Sequence, residues 1–119
     1  MKYLQQSHAF ALAASMALGC GAAAVPVGRV ASTEAAIRAA RETGAGNVPR
    51  AALHLHYAEQ QEAEAQALIR SGDKRAALVL RRAESDANLA VAISRQAQAE
   101  RDARVAIEAQ NTPKPTVRR

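Results

Sequence analysis

An all-α fold follows from three observations on the amino-acid sequence. Alanine, the strongest helix former, fills 31 of 119 positions. Aromatic residues are one Phe, two Tyr and no Trp, and β-branched residues are sparse, which argues against a sandwich or barrel. Apolar residues recur at steps of three and four along two long stretches, the period of a helix face. The expected architecture is a small antiparallel helical hairpin or three-helix bundle with a long C-terminal helix. A chain of this length makes one small domain. Its organisation reads as residues 1–19, a signal segment; 20–31, a tether; 32–110, the helical domain; and 111–119, a disordered basic tail.

The N-terminal segment is read as a targeting sequence. Met1 to His8 is polar with one basic residue, Lys2, and Ala9 to Leu18 is an apolar run broken only by Ser15. Ten residues are too few to span a bilayer, which needs roughly 20, but they suit a signal-peptide hydrophobic core. The run ends at Ala17-Leu18-Gly19-Cys20, and Cys20 is the single cysteine. A lone cysteine after a small residue at this place resembles the lipobox of bacterial lipoproteins. The usual leucine three before the cysteine is Ala17 here, and Leu18 sits one place later. The resemblance implies that Cys20 is acylated, palmitate included, after cleavage before it. The alternative is an ordinary secretory signal cut near Ala22–Ala24. One acyl chain anchors marginally and several anchor firmly. Position 21 is Gly, not the Asp that marks inner-membrane retention in enterobacteria, so the periplasmic face of the outer membrane of a Gram-negative bacterium is expected. Without the signal, 15 basic and 11 acidic side chains remain.

The first helix is expected to start at Ser32-Thr33, either able to cap it, with Glu34 in the first turn. Val30, Ile37 and Ala40 form its stripe, and Gly44 stops it. Pro49 suits the first position of a second helix, where no amide donor is needed. That helix runs to Arg70 with the stripe Ala51, Leu55, Ala58, Glu62, Ala65, Ile69, widened by Leu68. Gly72 then closes it and Asp73 caps the third helix. So short a link makes antiparallel neighbours.

The third helix is expected from Lys74 to Gln110. Ala76, Leu80, Ala83, Ala87, Ala90, Ser94 and Ala97 keep a 3.5-residue repeat, a coiled-coil pattern, which Val79 and Ile93 widen. At 1.5 Å per residue this helix measures roughly 55 Å and the second roughly 30 Å, so the stretch 95–110 has no intrachain partner. It is either a solvated helix or a surface for a second chain.

Several segments resemble a known family. Ala35-Ala36-Ile37-Arg38-Ala39-Ala40, Gly44-Ala45 and Pro49-Arg50-Ala51-Ala52-Leu53 are similar to its first half. Ser71-Gly72-Asp73, Ala76, Ala83 and Asp86-Ala87-Asn88-Leu89-Ala90 are similar to its second. The family is the small alanine-rich helical lipoprotein domain termed domain of unknown function four-three-nine-eight, sometimes followed by an OmpA-like peptidoglycan-binding domain, which is not expected within these residues. The resemblance spans about residues 25–98 and implies an envelope location and a helical hairpin, with no established activity. The murein lipoprotein, by contrast, joins peptidoglycan through a C-terminal lysine; Arg118-Arg119 offers no equivalent nucleophile.

Motifs for catalysis are missing from the sequence. No phosphate-binding glycine loop and no set of nucleophile, base and orienting group can be assembled, so a non-enzymatic role without cofactors is expected. His54 and His56 lie about 200° apart on a helix and cannot share a metal. His56, Glu59 and Glu62 read as a structural acidic face. Arg70, Lys74, Arg75, Arg81 and Arg82 flank the hairpin turn and are candidates for an anionic surface: peptidoglycan, lipid headgroups or an envelope protein. The competing expectation is a solvated face in which Glu84 and Asp86 pair with them at helical spacing. A nucleic-acid role is not expected, since no rings are available for base stacking. A soluble basic nucleic-acid binder would require residues 1–20 to be retained. The remaining functional alternative is a homo-oligomeric coiled coil through residues 95–110.

Overall fold

The computed structural model describes residues 25–112. The signal segment, Cys20 and residues 113–119 of the expected tail 111–119 lie outside them, while Asn111 is the last residue of α3. The described residues form three α-helices, α1 (Val27–Glu42), α2 (Pro49–Arg70) and α3 (Ala76–Asn111), with a 3₁₀ turn at Ala45–Asn47 and no strand. The all-α fold with a long last helix is therefore as expected from the sequence.

α1 begins at Val27, five residues before the expected Ser32-Thr33 cap, so it takes in residues 27–31 of the expected tether. Proline supplies the reason. Pro26 sits at φ −58°, ψ 132° as the residue before the helix, and its carbonyl accepts the Arg29 amide at 2.8 Å. Ser32 and Thr33 are interior positions whose hydroxyls donate back to the Arg29 carbonyl, each at 3.0 Å, the common alternative for such side chains inside a helix. Gly44, at φ 75°, ends α1 as expected. Val48 is extended (φ −116°, ψ 110°), as a residue before proline prefers, and Pro49 opens α2.

α2 closes with a Schellman motif. Gly72 (φ 71°) donates to the Ile69 carbonyl and Asp73 to the Leu68 carbonyl. Asp73 does not cap α3 directly. Its Oδ1 accepts the Arg75 amide at 2.8 Å and its carbonyl accepts the Ala76 amide. This tightens a turn from which α3 starts at Ala76, two residues later than expected.

α1 and α3 run the same way and α2 runs opposite. At one end Val25, Val30 and Leu68 pack on Ala65, Val79 and Leu80. Towards the other end Ile37, Ala40 and Ala45 pack with Ala51, Leu55, Ala58, Ala87, Ala90 and Val91. α3 is the shared element: α1 lies chiefly on α3 and only lightly on α2.

The heptad expected for α3 is the buried face. Ala76, Leu80, Ala83, Ala87, Ala90 and Ser94 are all buried, and Val79 and Val91 flank them. In α2 the stripe holds at Ala51, Leu55, Ala58 and Ala65 but not at Ile69, which is exposed, while Leu68 is half-buried. Because α1 barely covers α2, the end of α2 hides the side turned to α3. Leu68 lies on that side, and Ile69 is 100° further round. In α1 the buried residues are Thr33, Ile37 and Ala40, with Val30 only half-buried. The bundle ends near Ala97, and residues 98–112 are exposed. This leaves about 20 Å of α3 standing clear of the other helices.

Candidate functional site

The five cations singled out in the sequence gather at one end of the bundle. Arg70 is the last residue of α2, Lys74 and Arg75 lie in the connection, and Arg81 and Arg82 lie within the first two turns of α3. All five are exposed. Arg75 is the one that is engaged: its Nε and Nη2 donate to the Asp73 carboxylate at 3.1 and 2.8 Å. These side-chain hydrogen bonds, then the one from the Arg75 amide, hold the Asp73 carboxyl below its ordinary range and make the guanidinium still harder to deprotonate.

The expected helical pairing of Glu84 and Asp86 with Arg81 and Arg82 does not occur. Glu84 Oε2 accepts Arg29 Nη1 at 3.5 Å and the Ser32 hydroxyl at 3.4 Å, both from α1. Asp86 faces α2, where Oδ1 meets His54 Nδ1 at 2.9 Å and Oδ2 accepts Gln61 Nε2 at 2.8 Å. Counted around α3, positions 84 and 86 fall on opposite flanks of the buried stripe, so each carboxylate is drawn to a neighbouring helix. Arg70, Lys74, Arg81 and Arg82 consequently have no ion-pair partner among the described residues.

The same end receives the chain from its N-terminal segment. Val25 packs against Ala65, Val79 and Leu80 beside the turn. Cys20 lies five residues before it and outside the described residues.

His54 and the acidic-face residues His56, Glu59 and Glu62 of α2 go to different surroundings. His54 turns to Asp86 on α3. Glu59 Oε1 accepts Arg41 Nε and Nη2 of α1 at 2.9 and 2.7 Å. His56 is exposed. Glu62 is half-buried, and its carboxyl is pushed up by burial first, then by the Glu34 and Glu59 charges, with Arg41 opposing. Among the described residues no group of three His, Cys, Asp or Glu side chains is placed to hold a metal ion. The geometry makes His54 and Glu59 clasps between helices. Asp86, which joins α2 to α3 through two partners, was not singled out in the sequence as such a hub; its acidic side chain beside a buried alanine stripe is the only signal.

The opposite end carries a groove not foreseen from the sequence. Val48, Pro49 and Arg50 at the start of α2 face Ile93, Gln96, Ala97 and Glu100 of α3 around about 330 Å³ of space. It forms where α2 begins and α3 continues alone. Among the described residues no helix is long and apolar enough to cross a membrane.

The chain matches no family model, no curated protein and no solved structure.

Proposed function

We propose that this protein is a lipid-anchored envelope protein with a non-enzymatic structural or adaptor role at the periplasmic face of the outer membrane. One observation carries the reading: the apolar run Ala9–Leu18 ends in Gly19-Cys20, the pattern that resembles a lipoprotein acylation site, and the likeness to the alanine-rich lipoprotein domain points the same way. The fold is suited to such a role. A narrow bundle spaces its two ends apart, and the free part of α3 presents a surface to an envelope protein or to peptidoglycan. The experiment is labelling of cells with a fatty-acid analogue, comparing the wild type with Cys20→Ser. Label in the wild type that disappears in the variant is expected. Equal absence in both sinks the reading.

A second reading, self-association through α3, is favoured by the groove. Leu89, Ile93, Gln96, Glu100, Ala103 and Ile107 step 4-3-4-3-4, a heptad face offset from the buried one, and Ile107 on it is 58% exposed. Sedimentation at increasing concentration is expected to show a dimer on this reading. A monomer at high micromolar concentration removes it.

A further inference from the structure

We infer that the turn end of the bundle docks on the anionic phospholipid headgroups of the same membrane that holds the anchor, through Arg70, Lys74, Arg81 and Arg82. The inference rests on the anchored reading above and adds a second contact and an orientation to it.

The up-down-up topology brings Val25 and the α2–α3 turn to one end of the molecule. Four residues separate Val25 from Cys20, and even fully extended the five steps between them reach only about 17 Å. An anchor at Cys20 therefore holds this end, and not the groove end, against the bilayer. Two of the three carboxylates there are committed, and the third, Glu64, acts on Arg75 through space. Asp73 is committed to Arg75, and Glu84 to Arg29 and Ser32. The four remaining cations are exposed and without ion-pair partners among the described residues. They sit on two helices and the link between them, so they point to several sides of one end, as a headgroup layer can satisfy and a single small anion cannot. The N-termini of α1 and α3 lie at this end together with the C-terminus of α2, so the helix ends leave a net positive partial charge. A cell-wall polymer would also offer carboxylates, and the test below separates it from headgroups. Docked this way, the bundle stands upright and the free part of α3 points away from the membrane.

The test uses the mature chain, residues 20–119, carrying Cys20→Ser so that acylation plays no part. It is mixed with vesicles of equal parts phosphatidylglycerol and phosphatidylcholine, with vesicles of phosphatidylcholine alone, and with isolated peptidoglycan sacculi. Binding to the anionic vesicles only, weakening steeply with salt, is expected. Each cation near such a surface contributes a factor of about five. Arg70→Gln, Lys74→Gln, Arg81→Gln and Arg82→Gln together are expected to lower the partition coefficient by a few hundredfold at low salt. The matched variant Arg38→Gln, Arg50→Gln, Arg95→Gln and Arg104→Gln changes net charge equally at exposed sites away from the turn and is expected to bind within about twofold of the parent. Circular dichroism on each variant checks that it is folded. Equal losses in both variants, no loss in the turn variant, or binding to sacculi but not to vesicles overturns the proposal. Fatty-acid labelling of Cys20 alongside unchanged vesicle binding by the turn variant leaves the anchor standing and removes the docking. Absent labelling with turn-dependent vesicle binding does the reverse.

Discussion

Leu80→Ala is the substitution that tests the packing most directly. Leu80 is fully buried in α3, and Ile37 is the other large aliphatic side chain hidden to a similar degree. It sits with Val79, Ala65 and Leu68 where all three helices meet, and its carbonyl accepts the Thr33 hydroxyl at 3.3 Å. Truncation leaves that hydrogen bond in place and removes only apolar atoms. Lost transfer energy and the cavity left behind cost about 2–5 kcal/mol, and about 3 is the working value. The 88 described residues would have a total stability of roughly 4–13 kcal/mol, and a core made mainly of alanine belongs near the low end. The substitution thus removes about half of the stability. In a thermal melt followed by circular dichroism it is expected to lower Tm by about 12–24 °C. Alanine's helix propensity is slightly better than leucine's, so the local helix term does not inflate the loss. Leu78→Ala is the control: two residues away and 42% exposed, it is expected to stay within about 0.5 kcal/mol of the wild type. Equal shifts for Leu78 and Leu80, or a loss under about 4 °C for Leu80, would refute the packing described above.

Other positions make complementary predictions. Glu62 has its carboxyl raised above the ordinary value, chiefly by burial, so its charge is less welcome in the fold than in the unfolded chain. Its contribution is fully present below the unfolded carboxyl's pKa and is lost as pH rises through the folded one. Glu62→Gln is expected to raise Tm at pH 7 by an amount worth at most about 0.5 kcal/mol, with the gain shrinking towards pH 4; a gain that is the same at both pH values counts against it. Asp86→Ala takes the acceptor from His54 and Gln61 together, and is expected to cost about 1–3 kcal/mol in urea unfolding, since half-buried donors lose their partner. Asp86→Asn keeps one acceptor oxygen and is expected to recover part of that loss; no difference between the two variants would contradict a hydrogen-bonding role.

How much of this was legible in the sequence depends on how many chain segments each feature involves. The α3 face could be read because its heptad runs unbroken from Ala76 to Ser94 and one helix period fixes it. The end of α2 could be read as a glycine stop because Gly72 alone carries the left-handed conformation. Thr33 was misread because a hydroxyl beside Ser32 looks like a cap. Its burial depends on Pro26 starting the helix earlier and on the approach of Leu80, 47 positions away. Ile69 and Leu68 differ by one position, and only the placement of α1 on α3 decides between them. The cations of the turn were visible as residues, but their lack of partners was not. That follows from Glu84 and Asp86 facing α1 and α2, a matter of helix phase across the bundle. The groove exists only because α2 starts at Pro49 opposite Ile93, which no single segment reveals.

The fully hidden alanines have a consequence for how this sequence can change. Nine of them, Ala40, Ala45, Ala51, Ala58, Ala65, Ala76, Ala83, Ala87 and Ala90, have no exposed surface. In an ordinary core most substitutions subtract atoms and leave holes. At these nine positions every replacement except glycine adds atoms where no surface is exposed. Overfilling of this kind costs about 1–3 kcal/mol, and glycine within a helix costs about 1 kcal/mol. The interior therefore has almost no neutral neighbours in sequence space, and variation is steered to the outside of the helices.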